Sequence, residues 1–370
     1  MSYADLDPAA GRAGRLDCVC APGDESARGG EALARLTAGF GLAILAQTLV
    51  LAALPLTAAA VAPRPALAGV PYALTLLGAA LATFPASFLL DAFGRRAAFS
   101  LGASLGVAGG ALSAWSAMRG LFAPLCIGAL WLGLAHGFAL FYRHAAAAGA
   151  QGPRGGAVVF AGGALAALLA PGLMFLASEW AGPFADAATL AAAGIVDLVA
   201  LVIAVTLPHA LGMARAEPRP APPLSAFIAA TIIGAIAWFV MTLLMARASP
   251  TLVACGVASA AVGGVIAWHL VAMYAPAAII RFASAEPPPT IALVAGLAIL
   301  VAGAALFSAG AAATSIGLAL ASAGVGWSLA NAGLLQWIYR DGAPTRLMLA
   351  LHDFALLSAA LAGAMLAPLI

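Results

Sequence analysis

The sequence predicts an all-α polytopic membrane protein made of two helical bundles, and three observations carry that prediction. Composition is the first: of 370 residues, 64% are hydrophobic and 8% charged, against roughly 25% charged in a soluble globular chain. So few charges cannot cover a water-facing surface of this size. The second is length. From about Gly39 onward, eleven apolar runs of about 20 residues follow one another, each sufficient to cross ~30 Å of hydrocarbon as a helix. The third is sidedness. All 16 basic residues are Arg, and an alternating path that starts inside leaves only Arg64, Arg119 and Arg247 outside, as the positive-inside rule requires.

The same numbers exclude whole classes of function. A net charge of +2 provides no basic field for a phosphate backbone, so nucleic acid is excluded and the bilayer is the partner. The four cysteines are too scattered for a disulfide framework. With no nucleotide loop, no Ser/His/Asp grouping and no soluble domain, the chain reads as neither an enzyme nor a primary pump.

Taken in order, residues 1–36 hold six acids and four arginines without an apolar run. They read as a flexible cytoplasmic tail that lacks the pattern of a signal peptide. Spans near 37–61, 68–90, 97–117, 121–142, 155–178 and 186–207 form an N-terminal six-helix bundle over 37–212. The Pro-rich break at 213–223 is a cytoplasmic linker. Spans near 224–246, 257–280, 290–309, 313–338 and 347–368 form the C-terminal bundle over 224–370. The 41 glycines fit close helix approach, since small residues replace the hydrophobic driving force in lipid; a genome-wide composition bias explains them equally well. Pro65, Pro71, Pro85, Pro171 and Pro276 mark kinks or broken segments.

Between spans two and three the chain reads Asp91-Ala-Phe-Gly94-Arg95-Arg96. An acid and two arginines about a Gly form a charge-paired cytoplasmic latch, because Gly permits the tight turn and Arg makes bidentate contacts. The pattern, in this loop and on this side, resembles the helix 2–3 signature of the major facilitator superfamily. The resemblance implies two pseudo-symmetric bundles rocking about a midplane site, with Asp91, Gly94, Arg95 and Arg96 gating it. It also implies twelve helices, where the sequence supplies eleven. The equivalent loop in the second half, Arg281 to Glu286, is degraded.

Span seven carries Met241-x-x-x-Met245 and span eight carries His269-x-x-x-Met273. Residues four apart share a helix face, so if the two helices face each other, three thioethers and an imidazole converge. Such soft, neutral donors select Cu(I) over Mg²⁺ or Ca²⁺, and a lone His deep in a span is functional by default. Packing is the alternative for the methionines.

These two motifs, with Phe141-Tyr142-Arg143-His144, Trp268-His269, Ala275-Pro276 and Gly324-Val-Gly-Trp327, resemble those of CcoA-type bacterial copper importers, a branch of that superfamily. The resemblance implies an inner-membrane importer with its N-terminus in the cytoplasm. Copper is its transported substrate, it has no cofactor, and a copper chaperone of the haem–copper oxidase assembly pathway is its partner. Met241, Met245, His269 and Met273 handle the ion. A sister branch resembling riboflavin importers shares much of this sequence, so riboflavin or another small organic solute is the alternative cargo, with Trp238, Phe239 and Trp268 as stacking surfaces. A non-transporting copper-binding assembly factor is the second alternative.

Further candidates follow from residue type. Cys255, between the two motif helices, is a weaker copper ligand or a small filler. Cys18 and Cys20 are candidate acceptors of copper on exit, and Cys126 is packing. Asp197 and His136, at membrane depth, are candidates for proton coupling; Gln47 and Asn331 read as interhelical hydrogen bonds. Arg143 and the His352-Asp353 pair read as a charged gate at the cytoplasmic ends. Tyr142, Trp337 and Tyr339 read as interface anchors.

Overall fold

A computed structural model describes residues 25–149, 151–207, 220–257, 259–282, 288–310 and 312–367. These form helices α1 (Glu25–Val61), α2 (Val70–Ala92), α3 (Gly94–Arg119), α4 (Phe122–Ala147), α5 (Gly152–Ala161), α6 (Ala164–Ala181), α7 (Ala185–Val205), α8 (Leu224–Ala254), α9 (Ser259–Phe282), α10 (Pro289–Ala309), α11 (Ala313–Arg340) and α12 (Arg346–Leu366). Nine stretches of the described residues are long and apolar enough to cross a membrane. One of them, Gly152–Val205, contains α5, α6 and α7, and α9 adds a shorter apolar run at Gly264–Ile279. The described residues therefore contain twelve α-helices.

Two boundaries differ from the sequence prediction. Helix α1 starts at Glu25, so residues 25–36 are helical and not tail. Leu36 is buried, Arg35 pairs with Glu31 one turn earlier, and Arg35 Nη1 donates to the Thr206 carbonyl at 2.5 Å. At 37 residues, or about 55 Å, α1 outruns the hydrocarbon, and its polar first turns extend beyond it. The fifth span is not continuous either. Gly162 and Gly163 separate α5 from α6, and a Cβ on Gly163 would lie 2.4 Å from the Tyr274 ring of α9. The break accommodates that ring. Of the linker, residues 213–219 lie outside the described residues; its end docks where Ala343 N donates to the Pro220 carbonyl at 2.9 Å.

Helices α1–α7 pack mainly among themselves, as do α8–α12. The halves meet through α2 against α12, and through α5 and α6 against α9, with α5 also touching α11. Within each half, small residues make close helix approaches possible, which favours the packing explanation for the glycines at these sites. A Cβ on Gly133 of α4 would lie 2.0 Å from the Thr75 carbonyl oxygen of α2, and one on Gly326 of α11 would lie 2.4 Å from Leu300 N of α10. Large apolar side chains such as Leu168, Trp180 and Trp268 point outward, as a lipid-facing surface requires.

Gly133→Ala is expected to lower the melting temperature of the detergent-solubilised protein, because overpacking against backbone costs about 1–3 kcal/mol. Gly69→Ala, where an added Cβ meets nothing within 4 Å, serves as the neutral control. Equal melting of the two variants would contradict the close-packing account.

Candidate functional site

The halves are locked at the ends of α4, α11 and α12 that the arginine distribution assigns to the cytoplasm. Asp353 of α12 is 0% exposed and Arg143 of α4 is 5% exposed. Arg143 Nη2 donates to Asp353 Oδ1 at 2.7 Å, and His144 Nε2 donates to Asp353 Oδ2 at 3.1 Å. With its proton on Nε2, His144 accepts from Tyr339 O–H through Nδ1 at 3.3 Å. The neighbouring His352 is oriented differently. Thr231 Oγ1 already donates to the Phe227 carbonyl at 2.9 Å, so it accepts from His352 Nδ1 at 2.8 Å. Four helices thus converge on one buried carboxylate and its neighbours. Arg143 and Asp353 are paired as expected, while His144, and not His352, is the second partner of the carboxylate.

The helix 2–3 signature adds an outer layer to this lock. Gly94 has φ +81°, a left-handed conformation that other side chains rarely adopt. Asp91 accepts from Arg346 Nη1 of α12 at 3.1 Å, and Ser87 Oγ donates to the Arg346 carbonyl at 2.6 Å. Arg95 Nη2 donates to the Ala145 carbonyl of α4 at 2.7 Å. Arg96 Nη2 donates to the Leu207 carbonyl, just past α7, at 2.8 Å. The acid of the motif therefore ties the two halves together, while its arginines clamp α3 to the N half.

Further into the membrane, aromatic rings from both halves meet. Phe40 of α1 and Phe160 of α5 lie 5.8 Å apart by ring centroid. Phe160 faces Tyr274 of α9 at 5.1 Å and Trp327 of α11 at 5.6 Å. Trp327 meets Trp238 of α8 edge-on at 5.0 Å. Trp238 Nε1 donates to Asn331 Oδ1 at 3.1 Å, and Asn331 Nδ2 donates to the Trp327 carbonyl at 2.8 Å, so Asn331 has the predicted interhelical role. Trp327 Nε1 is buried without a hydrogen-bond partner. Trp327 precedes Tyr339 by twelve residues, which places this layer about 18 Å along α11 from the lock.

The four copper candidates are arranged differently from the expectation that their helices face each other. α8 and α9 barely touch, because α11 packs against both. Met241 is buried, and Met245 and Met273 are half-buried. His269 is 1% exposed; its Nδ1 donates to the Leu320 carbonyl of α11 at 2.7 Å, which leaves the Nε2 lone pair buried and without a partner. Cys255 caps α8 and is half-buried. No group of three or more His, Cys, Asp or Glu with metal-site geometry occurs among the described residues. Cys18 and Cys20 lie outside them, as do Arg281 and Glu286 in their side chains.

Asp197 of α7, His136 of α4 and Gln47 of α1 line one small cavity inside the N half, which has room for about one water molecule. The two proton-coupling candidates therefore share a site.

Three assignments are corrected. Trp268 is 72% exposed and faces outward, so it cannot stack a solute in the interior. Tyr142 is not an interface anchor; it is buried and stacked on Phe99 with ring centroids 3.7 Å apart. Tyr339 belongs to the lock through His144. The sequence reading missed His144, Tyr339, Thr231 and Arg346 as lock members, and Phe160 and Trp327 as layer members. The run Arg143-His144 beside a buried acid was the one available signal.

The described helices thus form a two-bundle scaffold, tied together at one end and holding aromatic rings from both halves at its centre. Solved structures share it. The proton:xylose symporter XylE aligns over 94% of this chain and 89% of its own, with a TM-score of 0.74 and 14% identity. The human organic anion transporter MFSD10 aligns over 92% of both chains, at 0.70 and 17%. The E. coli fucose:proton symporter FucP aligns over 91% and 90%, at 0.62 and 15%. The fold is that of the major facilitator superfamily. In sequence, the chain is 32% identical to the riboflavin transporter RfnT of Brucella anthropi over 232 residues, 57% of this chain and 56% of that one. The match thus spans little more than half of that relative. No protein-family model matches. These relatives and neighbours are transporters, and none is an enzyme.

Asp353→Ala is expected to destabilise the protein by about 3–5 kcal/mol, since it strands a buried guanidinium. Arg143→Met in the same chain should recover part of that loss. A double-mutant cycle of thermal unfolding in detergent measures the coupling, and additive effects would contradict the buried pair.

Proposed function

We propose that the chain is an inner-membrane secondary transporter that imports riboflavin or a similar flat heteroaromatic solute into the cytoplasm. The observation that carries this reading is the aromatic layer between the halves. A flat solute is held by stacking surfaces with a few polar groups at its edge. Trp238, Trp327, Tyr274, Phe160 and Phe40 form such a set from both halves, so that rocking of the bundles opens and closes it. The resemblance to a riboflavin transporter supports the same cargo. The buried lock gives the alternating cycle its closed gate on the cytoplasmic side, with Asp91 and Arg346 as its outer layer. Asp197 and His136 supply the titratable pair for a coupling proton.

A second reading, import of Cu(I) for haem–copper oxidase assembly, is favoured by one observation: the unpartnered His269 Nε2, four residues from the Met273 thioether on the same helix. Soft, neutral donors of this kind suit Cu(I). The separation of α8 from α9 by α11 weighs against a four-ligand site in this conformation.

The test is uptake in a bacterial strain that lacks both riboflavin synthesis and its own importer. The chain should restore growth on external riboflavin and accumulate radiolabelled riboflavin, and uptake should be lost in Trp238→Ala with the protein still present in the membrane. Radioactive copper uptake is measured in parallel under reducing conditions. A rise in copper alone, abolished by His269→Ala or by Met241→Ala with Met245→Ala, would replace the first reading with the second. Uptake of neither, with copper retained by the purified protein, would identify an assembly factor.

A further inference from the structure

Buried polar atoms without partners are rare in folded chains, because each has lost its water and gained nothing. Among the described residues three of them lie on the helices that face the centre of the C half: His269 Nε2 on α9, and Trp327 Nε1 and Ser328 Oγ on α11. A hydroxyl rotates to find a partner. An indole N–H is fixed in the ring plane and only donates, so Trp327 is the most demanding of the three.

Its surroundings set it apart from the other indole of the layer. The other indole of the layer, Trp238, is satisfied by Asn331 Oδ1, and Asn331 is in turn held by the Trp327 carbonyl. The Trp327 backbone is thus used to aim a side chain that satisfies its neighbour, while its own N–H has no partner. The ring is 3% exposed and lies against Phe160 of the opposite half. In the proposed cycle this contact opens when the halves part, which would bring the ring to the seam. Gly324, one turn earlier on α11, would place a Cβ 3.0 Å from the His269 carbonyl oxygen. Helix α11 is therefore seated closely on α9, which fixes the position of Trp327.

We infer that the Trp327 indole N–H is a specificity donor for the transported solute. It hydrogen-bonds a ring nitrogen or carbonyl at the edge of a flat heteroaromatic molecule stacked between Trp327 and the rings of the N half. This rests on the proposed organic-solute transport and assigns the group that reads the solute's edge. A bare metal ion has no acceptor to offer this donor, so the residue also separates the proposed cargo class from copper.

The experiment uses the purified full chain in detergent and follows riboflavin binding by flavin fluorescence. Trp327→Phe keeps an aromatic ring and removes the donor, and it should bind about tenfold more weakly, the scale of one buried hydrogen bond. Its melting temperature should equal or exceed that of wild type, since an unsatisfied donor has been removed. Trp238→Phe, which strips Asn331 of its donor, should melt lower. Wild type should discriminate against one member of a series of flavin analogues, each lacking one edge acceptor, and Trp327→Phe should not. Should Trp327→Phe fail to fold, benzothienylalanine at position 327 keeps the ring shape and replaces N–H with sulfur. Wild-type protein that binds riboflavin, with donor-deleted protein of equal affinity and equal discrimination, overturns this inference alone. Wild-type protein that does not bind riboflavin overturns the organic-solute reading and this inference with it.

Discussion

One buried carboxylate organises the molecule. Asp353 lies in a low-dielectric interior where an uncompensated charge costs several kcal/mol, and both of its strong partners, Arg143 and His144, come from the other half. The halves cannot separate at this end without stranding a guanidinium and a carboxylate unless water or another partner replaces the contact. The exposed Asp91–Arg346 pair contributes little by itself, as surface ion pairs do. Its place beside the buried lock, at the Gly94 turn, gives the helix 2–3 loop its effect: the loop positions α2 against α12, and the lock holds what the loop has positioned.

The aromatic layer depends on that closure. Phe160 and Trp327 approach across the seam where α5 and α6 meet α9 and α11, and the Gly162–Gly163 break lets Tyr274 of α9 pack against the N half. Opening at the lock would pull these rings apart. Under the proposed function, a solute stacked between them and a sealed gate would be linked states of one scaffold, the property alternating access requires.

The sequence made the architecture legible to a large degree, because span length and arginine sidedness are one-dimensional signals. The Asp91 to Arg96 loop and most of the helices are where they were expected, while the first helix begins earlier and the fifth span is broken. Which face of a span looks inward is a different kind of information. Trp268 and Trp238 are equally apolar in the sequence, yet one meets lipid and the other the seam. The hydrophobic pattern of a helix apolar all round does not distinguish them. Met241 and His269 share spacing with their partners but not a common helix interface, since α11 lies between. The break in the fifth span was hidden because a Gly pair in a Gly-rich chain is no signal until the ring that needs it is known. Tyr142 and Tyr339 looked like anchors because a Tyr near a span end usually is one.

The central claim, a buried lock whose release parts the two halves at this end, is tested most directly by a distance across it. Spin labels at Phe93, exposed just past α2, and Leu347, exposed at the start of α12, bracket the lock without touching it. Pulsed electron resonance on the reconstituted protein should give one short distance at rest. A second, longer population should appear with riboflavin present, and it should dominate in Asp353→Asn without ligand. A single short distance under all three conditions would contradict the account.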